Sequence, residues 1–214
     1  VSAKAYKMGG SRTFLEIDDK VSIDGLLKGI IIQSGNDASV ALAECLAGTE
    51  DDFSKLMNVY AKKLGMKNTN FINSSGWPEE DHYSTALDLA ILSNALIKEF
   101  PDLYLYFSDK EFTYNDIKQP NRNKLLSSVQ GADGLKTGFT RSSGWGIAAT
   151  AKRDDRRITV VINGTNSSRS RMNESSNLIN WAFTQTSQKK LVDEGQIITE
   201  ADVWLGDKSS VNLV

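Results

Sequence analysis

The sequence predicts an α/β (α+β) chain in which an antiparallel sheet is flanked by helices, followed by the start of a second, β-rich unit. Three observations carry this. Apolar residues recur at helical spacing between Thr49 and Gly65, the pattern turns to alternating strands from Ala132, and it changes again after Gln188. The expected organisation is a principal domain over 1–188 and the opening of a C-terminal β domain over 189–214.

The elements follow in order. Asn36 or Asp37 can cap a helix running to about Leu46, with Gly48 placed to end it. Cys45 sits on the apolar run Val40–Leu46 and is expected as a small buried hydrophobe. Thr49 opens a second helix whose first turn holds Glu50, Asp51 and Asp52, where the helix dipole favours acids. Phe53, Leu56, Met57, Tyr60, Ala61 and Leu64 form its single buried stripe, and Gly65 closes it. Residues 73–83 lack periodicity and read as a loop. Ser84 caps a third helix to about Ile97, before Pro101. The aromatic cluster from Tyr104 to Tyr114 is expected to pack in the core, since it lacks the basic residues of a base-stacking groove. Strands follow at Asp133–Thr137, Gly144–Ala151 and Arg157–Asn163, the last two joined by a turn over Lys152–Arg156. A final helix spans about Met172–Phe183. Ile197, Ile198, Val203, Trp204 and Val211 then suggest further strands, with the chain stopping at Val214 inside them.

Composition removes several classes of function. A net charge of −2 without a basic stripe argues against a nucleic-acid partner. A single cysteine leaves no intrachain disulfide and no thiolate metal site. The single histidine, His82, lies in a polar stretch, is expected as a surface loop residue, and argues against a Ser-His-Asp triad or a histidine metal centre. No stretch is apolar enough to cross a membrane, because Lys28 and Asp37 bracket Gly29–Ile32. The chain opens on Val1 without a signal-peptide pattern, so it reads as a processed protein or an excised fragment.

Two short motifs carry chemistry. A strand ending in Lys136-Thr137-Gly138 puts an ammonium and a hydroxyl near one carboxylate-sized site. Gly138 lets a substrate backbone lie close, and the Phe139 backbone N–H can form half of an oxyanion hole. Taken alone, the tripeptide reads first as an exposed strand end with a tight turn. Ser34-Gly35-Asn36 equally fits a helix N-cap; in the functional reading the Ser34 hydroxyl relays a proton to a leaving amine while the Asn36 amide positions a substrate carbonyl. Ser-x-Asn at a helix start, followed by Lys-Thr-Gly on a strand of an antiparallel meander, is the arrangement of serine enzymes that react with penicillin.

The chain resembles the low-molecular-mass penicillin-binding proteins, the serine-type D-Ala-D-Ala carboxypeptidases of the bacterial cell wall. The likeness also runs through Ile30–Ala38, Tyr60–Gly65, Gln119–Asn123, Gly134–Gly138, Arg169–Glu174 and Val203–Lys208, the last similar to the family's entry into its C-terminal β domain. The resemblance implies the penicillin-recognising serine transpeptidase/β-lactamase-like fold. It implies catalytic roles for Ser34, Asn36 and Lys136, with Lys136 supplying positive charge to the developing oxyanion. Thr137 and Arg171 would hold the terminal carboxylate of D-Ala; on its own, Arg171 equally fits a surface ion pair. Expected partners are peptidoglycan stem peptides ending in D-Ala-D-Ala and β-lactam antibiotics, with no metal or organic cofactor, because serine and lysine perform the proton transfers. The implied location is the periplasm, at the outer face of the cytoplasmic membrane, with any membrane association through segments outside this chain.

One departure matters. The family's nucleophile is a Ser-x-x-Lys serine upstream of Ser34, and residues 1–33 contain no such motif. The match Ser187-Gln188-Lys189-Lys190 falls after Lys-Thr-Gly, in a polar stretch, and reads as chance. The chain is therefore expected to begin downstream of the nucleophile, to resist acylation by itself, and to leave a sheet edge open to aggregation. Two alternatives stand beside the carboxypeptidase: a serine β-lactamase, and a non-catalytic module that binds peptidoglycan termini through Lys136, Thr137 and Arg171.

Overall fold

A computed structural model describes residues 1–213. The predicted end of the chain within a strand at Val214 lies outside the described residues.

Five helices come first. After the one-turn α1 (Ala3–Tyr6), the polypeptide runs through α2 (Ile23–Gln33), α3 (Asn36–Ala47), α4 (Glu50–Leu64) and α5 (Ala86–Glu99). A short α6 (Pro101–Tyr104) and a 3-10 turn lead into a small hairpin, β1 (Glu111–Tyr114) and β2 (Ile117–Pro120), and then into α7 (Leu125–Ser128). The main sheet is an antiparallel meander of β3 (Ala132–Thr140), β4 (Gly144–Arg153) and β5 (Arg156–Thr165), in the order β3-β4-β5. Helix α8 (Ser168–Gln185) packs back on β4 and β5, and a separate hairpin of β6 (Thr199–Asp202) and β7 (Ser210–Leu213) ends the described chain.

Two apolar clusters hold these layers. One joins Leu26 of α2, Val40 and Leu42 of α3 and Leu15 of the preceding loop. The other sits between sheet and α8, where Ile147, Ala149 and Val160 meet Ile179 and Leu125. Burying side chains of this size, each worth about 1.5–3 kcal/mol, fixes α8 across the sheet.

Several expectations are corrected in detail. The N-cap of α3 is Gly35, with no side-chain cap; Asn36 and Asp37 are already helical. Ser34 instead closes α2 in the left-handed region, with φ 57°. The N–H groups of Ser34 and Gly35 return to the carbonyls of Ile30 and Gly29, so backbone bonds make the helix junction and the Asn36 and Asp37 side chains are used elsewhere. Cys45 is exposed, because the buried run of α3 ends at Ala43. The α4 stripe is only partly covered: Ala61 is buried, but Leu56 and Tyr60 are exposed, since α4 packs at the periphery against α3 and α5.

Thr85, not Ser84, caps α5, and the Ser84 hydroxyl is paired with Thr69 instead. The aromatic residues split into a Tyr104–Phe107 pair and a Phe112–Tyr114 pair, of which only Tyr104 is buried. His82 is a loop residue but half-buried: its Nδ1 accepts the Ile72 N–H, and burial holds its pKa below the usual range. The β4–β5 turn is tighter than Lys152–Arg156, with Arg153 still paired to Arg156. Helix α8 begins at Ser168, capped by Ser167, and so includes Arg171 in its first turn. In the tail, Trp204 and Leu205 lie exposed between the two strands, so of the residues that suggested strands only Val211 falls inside one.

Candidate active site

The site forms where the α2–α3 junction meets the middle of β3. The junction is tight because Thr13 packs under it: a Cβ on Gly35 would collide with the Thr13 hydroxyl. Asp37, in the first turn of α3, is fully buried. Its carboxylate accepts the backbone N–H groups of Thr13 (2.8 Å), Phe14 (2.9 Å), Leu15 (3.2 Å) and Ala38 (2.9 Å). Asn36 completes the fastening on the outer side. Its backbone N–H donates to Ser11 O and its side-chain amide to Gly9 O, both at 2.8 Å.

Strand β3 brings Lys136 onto this junction. Lys136 Nζ donates to Ser34 Oγ in a very short contact and to Thr137 O at 2.9 Å. Residues 102 positions apart in sequence are thus bonded at the centre of the site. Burial, with Arg122 and Arg171 nearby, pushes the Lys136 pKa down to about 7. Its bonded partners are a hydroxyl and a carbonyl rather than a carboxylate. Three cations therefore converge where an anion would be welcome.

Arg171 is buried and reaches across from α8. Its Nη1 donates to the paired glycines Gly138 and Gly146 through their carbonyls (3.2 and 3.3 Å), and its guanidinium lies 5.2 Å from the Trp145 ring. Burial and the neighbouring Arg122 hold its pKa below the ordinary value, and its Nε has no hydrogen-bond partner. Among the described residues it makes no ion pair; it binds the rim of the sheet. Phe139 is exposed and stacked on Trp145, with ring centroids 4.3 Å apart.

Strand β3 continues to Thr140, so Lys-Thr-Gly lies inside a strand rather than at its end. It is also an edge strand, since β4 is its only strand partner among the described residues. Gly138 is exposed there, and a Cβ built on it meets no atom within 4 Å. Its φ is not in the left-handed region either. Neither packing nor backbone conformation requires glycine at this position. Thr137 is buried opposite Ile147 and leaves the strand on the face opposite to Lys136; its hydroxyl and the Arg171 guanidinium share no hydrogen bond.

Arg122 was not singled out from the sequence. It follows β2, and its Nη1 donates to Ser11 Oγ at 2.6 Å, beside the loop that holds Asn36. An arginine between two asparagines carries no local signal of this; the link is a tertiary contact. Ser187 and Lys190 lie on the exposed segment after α8, with Lys190 paired to Asp193.

Comparison with known proteins bears on the family and the fold. The sequence pattern of the family described as D-alanyl-D-alanine carboxypeptidase matches residues 1–166. The D-alanyl-D-alanine carboxypeptidase DacC of Escherichia coli K12 is 45% identical over 206 residues, covering 96% of this chain and 52% of DacC. Penicillin-binding protein 5 of Haemophilus influenzae superposes with a TM-score of 0.87 at 39% identity, over 95% of this chain and 60% of that one. Penicillin-binding protein D2 of Listeria monocytogenes, solved in an ampicillin-bound form, has a TM-score of 0.75 at 32% identity, over 83% of this chain and 74% of that one. The chain spans about half the length of the curated relatives it matches. In sequence and in fold, this chain belongs to the D-alanyl-D-alanine carboxypeptidase family.

Proposed function

We propose that the whole protein removes the terminal D-Ala from peptidoglycan stem peptides through an acyl-serine intermediate, and that β-lactams trap it at that stage. The observation that carries this reading is the Lys136–Ser34 contact on an open edge strand with a cationic rim.

The substrate would lie along β3, its backbone drawn against Gly138, where no side chain intervenes. Its terminal carboxylate would be held by the positive field of Lys136, Arg122 and Arg171, with Thr137 as the family pattern implies. The serine nucleophile of the family motif gives its proton to the lysine of the same motif as it attacks the carbonyl of the penultimate D-Ala. The developing oxyanion is met by the Phe139 N–H, and Asn36 orients the acyl side. As the C–N bond breaks, Ser34 passes a proton to the departing D-Ala amine, replenished from Lys136, whose lowered pKa suits that exchange near neutral pH. Water then releases the acyl group. In a β-lactam the leaving nitrogen stays tethered, so the acyl-enzyme persists.

Peptidoglycan as substrate places the reaction outside the cytoplasmic membrane, in the periplasm of a two-membrane cell, and makes the protein an antibiotic target with a part in cell shape. No helix among the described residues is long and apolar enough to cross a membrane. We assign residues 1–188 to the catalytic domain and 189–214 to the start of the β domain.

The test is intact mass after incubation with a penicillin. The whole protein should gain the mass of one drug molecule and keep it for long periods. Rapid loss of the adduct would favour a serine β-lactamase, and no adduct on the whole protein would favour a binding module. The 214-residue chain by itself should gain nothing, since residues 1–33 lack Ser-x-x-Lys; a stable adduct on it would overturn that part of the reading.

A further inference from the structure

The aim of Lys136 depends on an irregularity three residues earlier. From Gly134 to Thr140 the residues of β3 pair one-to-one with β4, but Ala132 pairs with Ala151 and Gly134 with Thr150. Asp133 is thus an extra residue, a bulge. Without it, continuing from the Ala132–Ala151 pair would set Lys136 opposite Ile147, the place now held by Thr137. A shift of one residue turns every later side chain to the other face, so the ammonium would face the core beside a fully buried isoleucine rather than Ser34.

The bulge is pinned by all three strands of the sheet. Arg157 on β5 makes two 2.7 Å bonds to the Asp133 carboxylate, one to each oxygen. Thr150 on β4 donates to Asp133 Oδ1 at 2.8 Å, and the Tyr104 hydroxyl at the end of α6 donates to the same oxygen at 2.9 Å. Tyr104 also lies under the Arg157 guanidinium, 5.2 Å from ring to Cζ. Gly134 must be glycine for this to close, because a Cβ there would lie 2.5 Å from the Tyr104 hydroxyl oxygen. Its carbonyl accepts from the buried Asn123 amide at 3.0 Å. Burial pushes the Asp133 carboxyl upward, but its bonds to Arg157, Thr150 and Tyr104 outweigh that and hold it ionised.

Leu135 and Thr137 are buried and resist a slip of β3, but Gly134 and Gly138 contribute no side chain, and among the described residues β3 has one neighbouring strand. We propose that Asp133, clamped by Arg157, Tyr104 and Thr150, is the positioning residue that sets the register of β3 and so aims Lys136 at Ser34. The proposal rests on the reading of Lys136 as part of the carboxypeptidase site, but its test needs neither substrate nor turnover.

The experiment is an NMR pH titration of the chain with isotope-labelled lysine, the Lys136 signal being identified by its loss in Lys136→Arg. The groups facing Lys136 are Ser34, Arg122 and Arg171. Wild-type Lys136 is expected to titrate well below the other lysines. In Asp133→Asn its midpoint should rise by about one pH unit or more, a tenfold change in acid constant, as the ammonium leaves its desolvated position. In Asp133→Glu, which keeps the charge for Arg157, it should return toward wild type. Should Asp133→Asn fail to fold, Tyr104→Phe removes the hydroxyl's bonds to Asp133, Thr150 and Arg157 and keeps the ring and the Arg157–Asp133 pair; it should move the midpoint in the same direction by less. A lower melting temperature with Lys136 titrating as in wild type would overturn the proposal, leaving the clamp as a stabilising ion pair only. So would a wild-type Lys136 that titrates with the other lysines. A whole protein without carboxypeptidase activity would count against the proposed function and leave this result intact.

Discussion

At the scale of single residues, Lys136 and Gly138 separate binding chemistry from folding. The folded-state pKa of Lys136 is lowered to about 7 by burial and by Arg122 and Arg171. Below that value the fold bears the full burden of an ammonium desolvated on a half-buried residue. Between about 7 and the ordinary value of 10.5, the unfolded chain holds the proton and the folded chain does not, so this group makes stability rise with pH; above 10.5 the burden is gone. Lys136→Met should therefore stabilise the chain most below pH 7, and its advantage over wild type should shrink as pH rises through the window. Urea unfolding at pH 6 and pH 9.5 checks this, and an equal difference at the two values would refute it. Gly138→Ala tests the opposite case. With open space around the new methyl, stability should stay within about 0.5 kcal/mol of wild type. If the proposed function holds, D-Ala release by the whole protein should fall tenfold or more in kcat/KM, because the methyl would stand where the proposed substrate backbone lies. Ser34 and Lys136 were picked out through Ser-x-Asn and Lys-Thr-Gly in the order of the family pattern, and the structure brings these two together, with Asn36 at the same junction. Arg122 was not, because its place in the site depends on a bond to Ser11, far away along the chain.

At the scale of elements, one buried acid fastens the α2–α3 junction to the loop before it. Both oxygens of Asp37 face backbone N–H groups of residues 13–15 and Ala38. Asp37→Asn would turn an amide NH2 toward at least one of them, leaving donors face to face in a buried place. We expect a loss of about 2–4 kcal/mol in urea unfolding, larger than most single substitutions produce. A loss under about 0.5 kcal/mol would show that the loop holds its shape without the carboxylate. The same junction shows why sequence reading succeeded with helices and failed with their ends. Helix α4 was legible to its caps, since Thr49 and Gly65 act locally. The start of α3 was not: Asn and Asp are good caps, but here backbone bonds from Ser34 and Gly35 close α2, and Asp37 serves a distant loop. Burial was the harder quantity. Cys45 and Tyr60 sit on apolar faces by spacing, yet whether a face is covered depends on which element packs there, and nothing in a periodic pattern records that.

At the scale of the whole molecule, the sheet has two edges with different fates. The β3 edge, beside Lys136 and Gly138, is where an extended substrate would add. The β5 edge carries no site residue, and among the described residues β4 is the only strand bonded to it. Its faces are packed, against α8 and α5, so what remains open is a row of backbone donors and acceptors along Arg156–Thr165. The strand reads Ile158, Val160 and Ile162 on alternate positions, a sequence well suited to pairing, and a net charge of −2 does little to keep two copies apart. The 214-residue chain should therefore self-associate as its concentration rises, through β5 rather than through the site. Sedimentation velocity over a range of concentrations would show the association. Hydrogen exchange would locate it: every second β5 amide, unbonded to β4, should exchange rapidly in dilute solution and gain protection as the assembly grows. Protection arising along β3 instead would mean that the substrate edge is the adhesive one, and a monomer at every concentration would mean that side chains from α5 already shield β5. The first outcome alone leaves the β3 edge free for an extended peptide while the molecule associates.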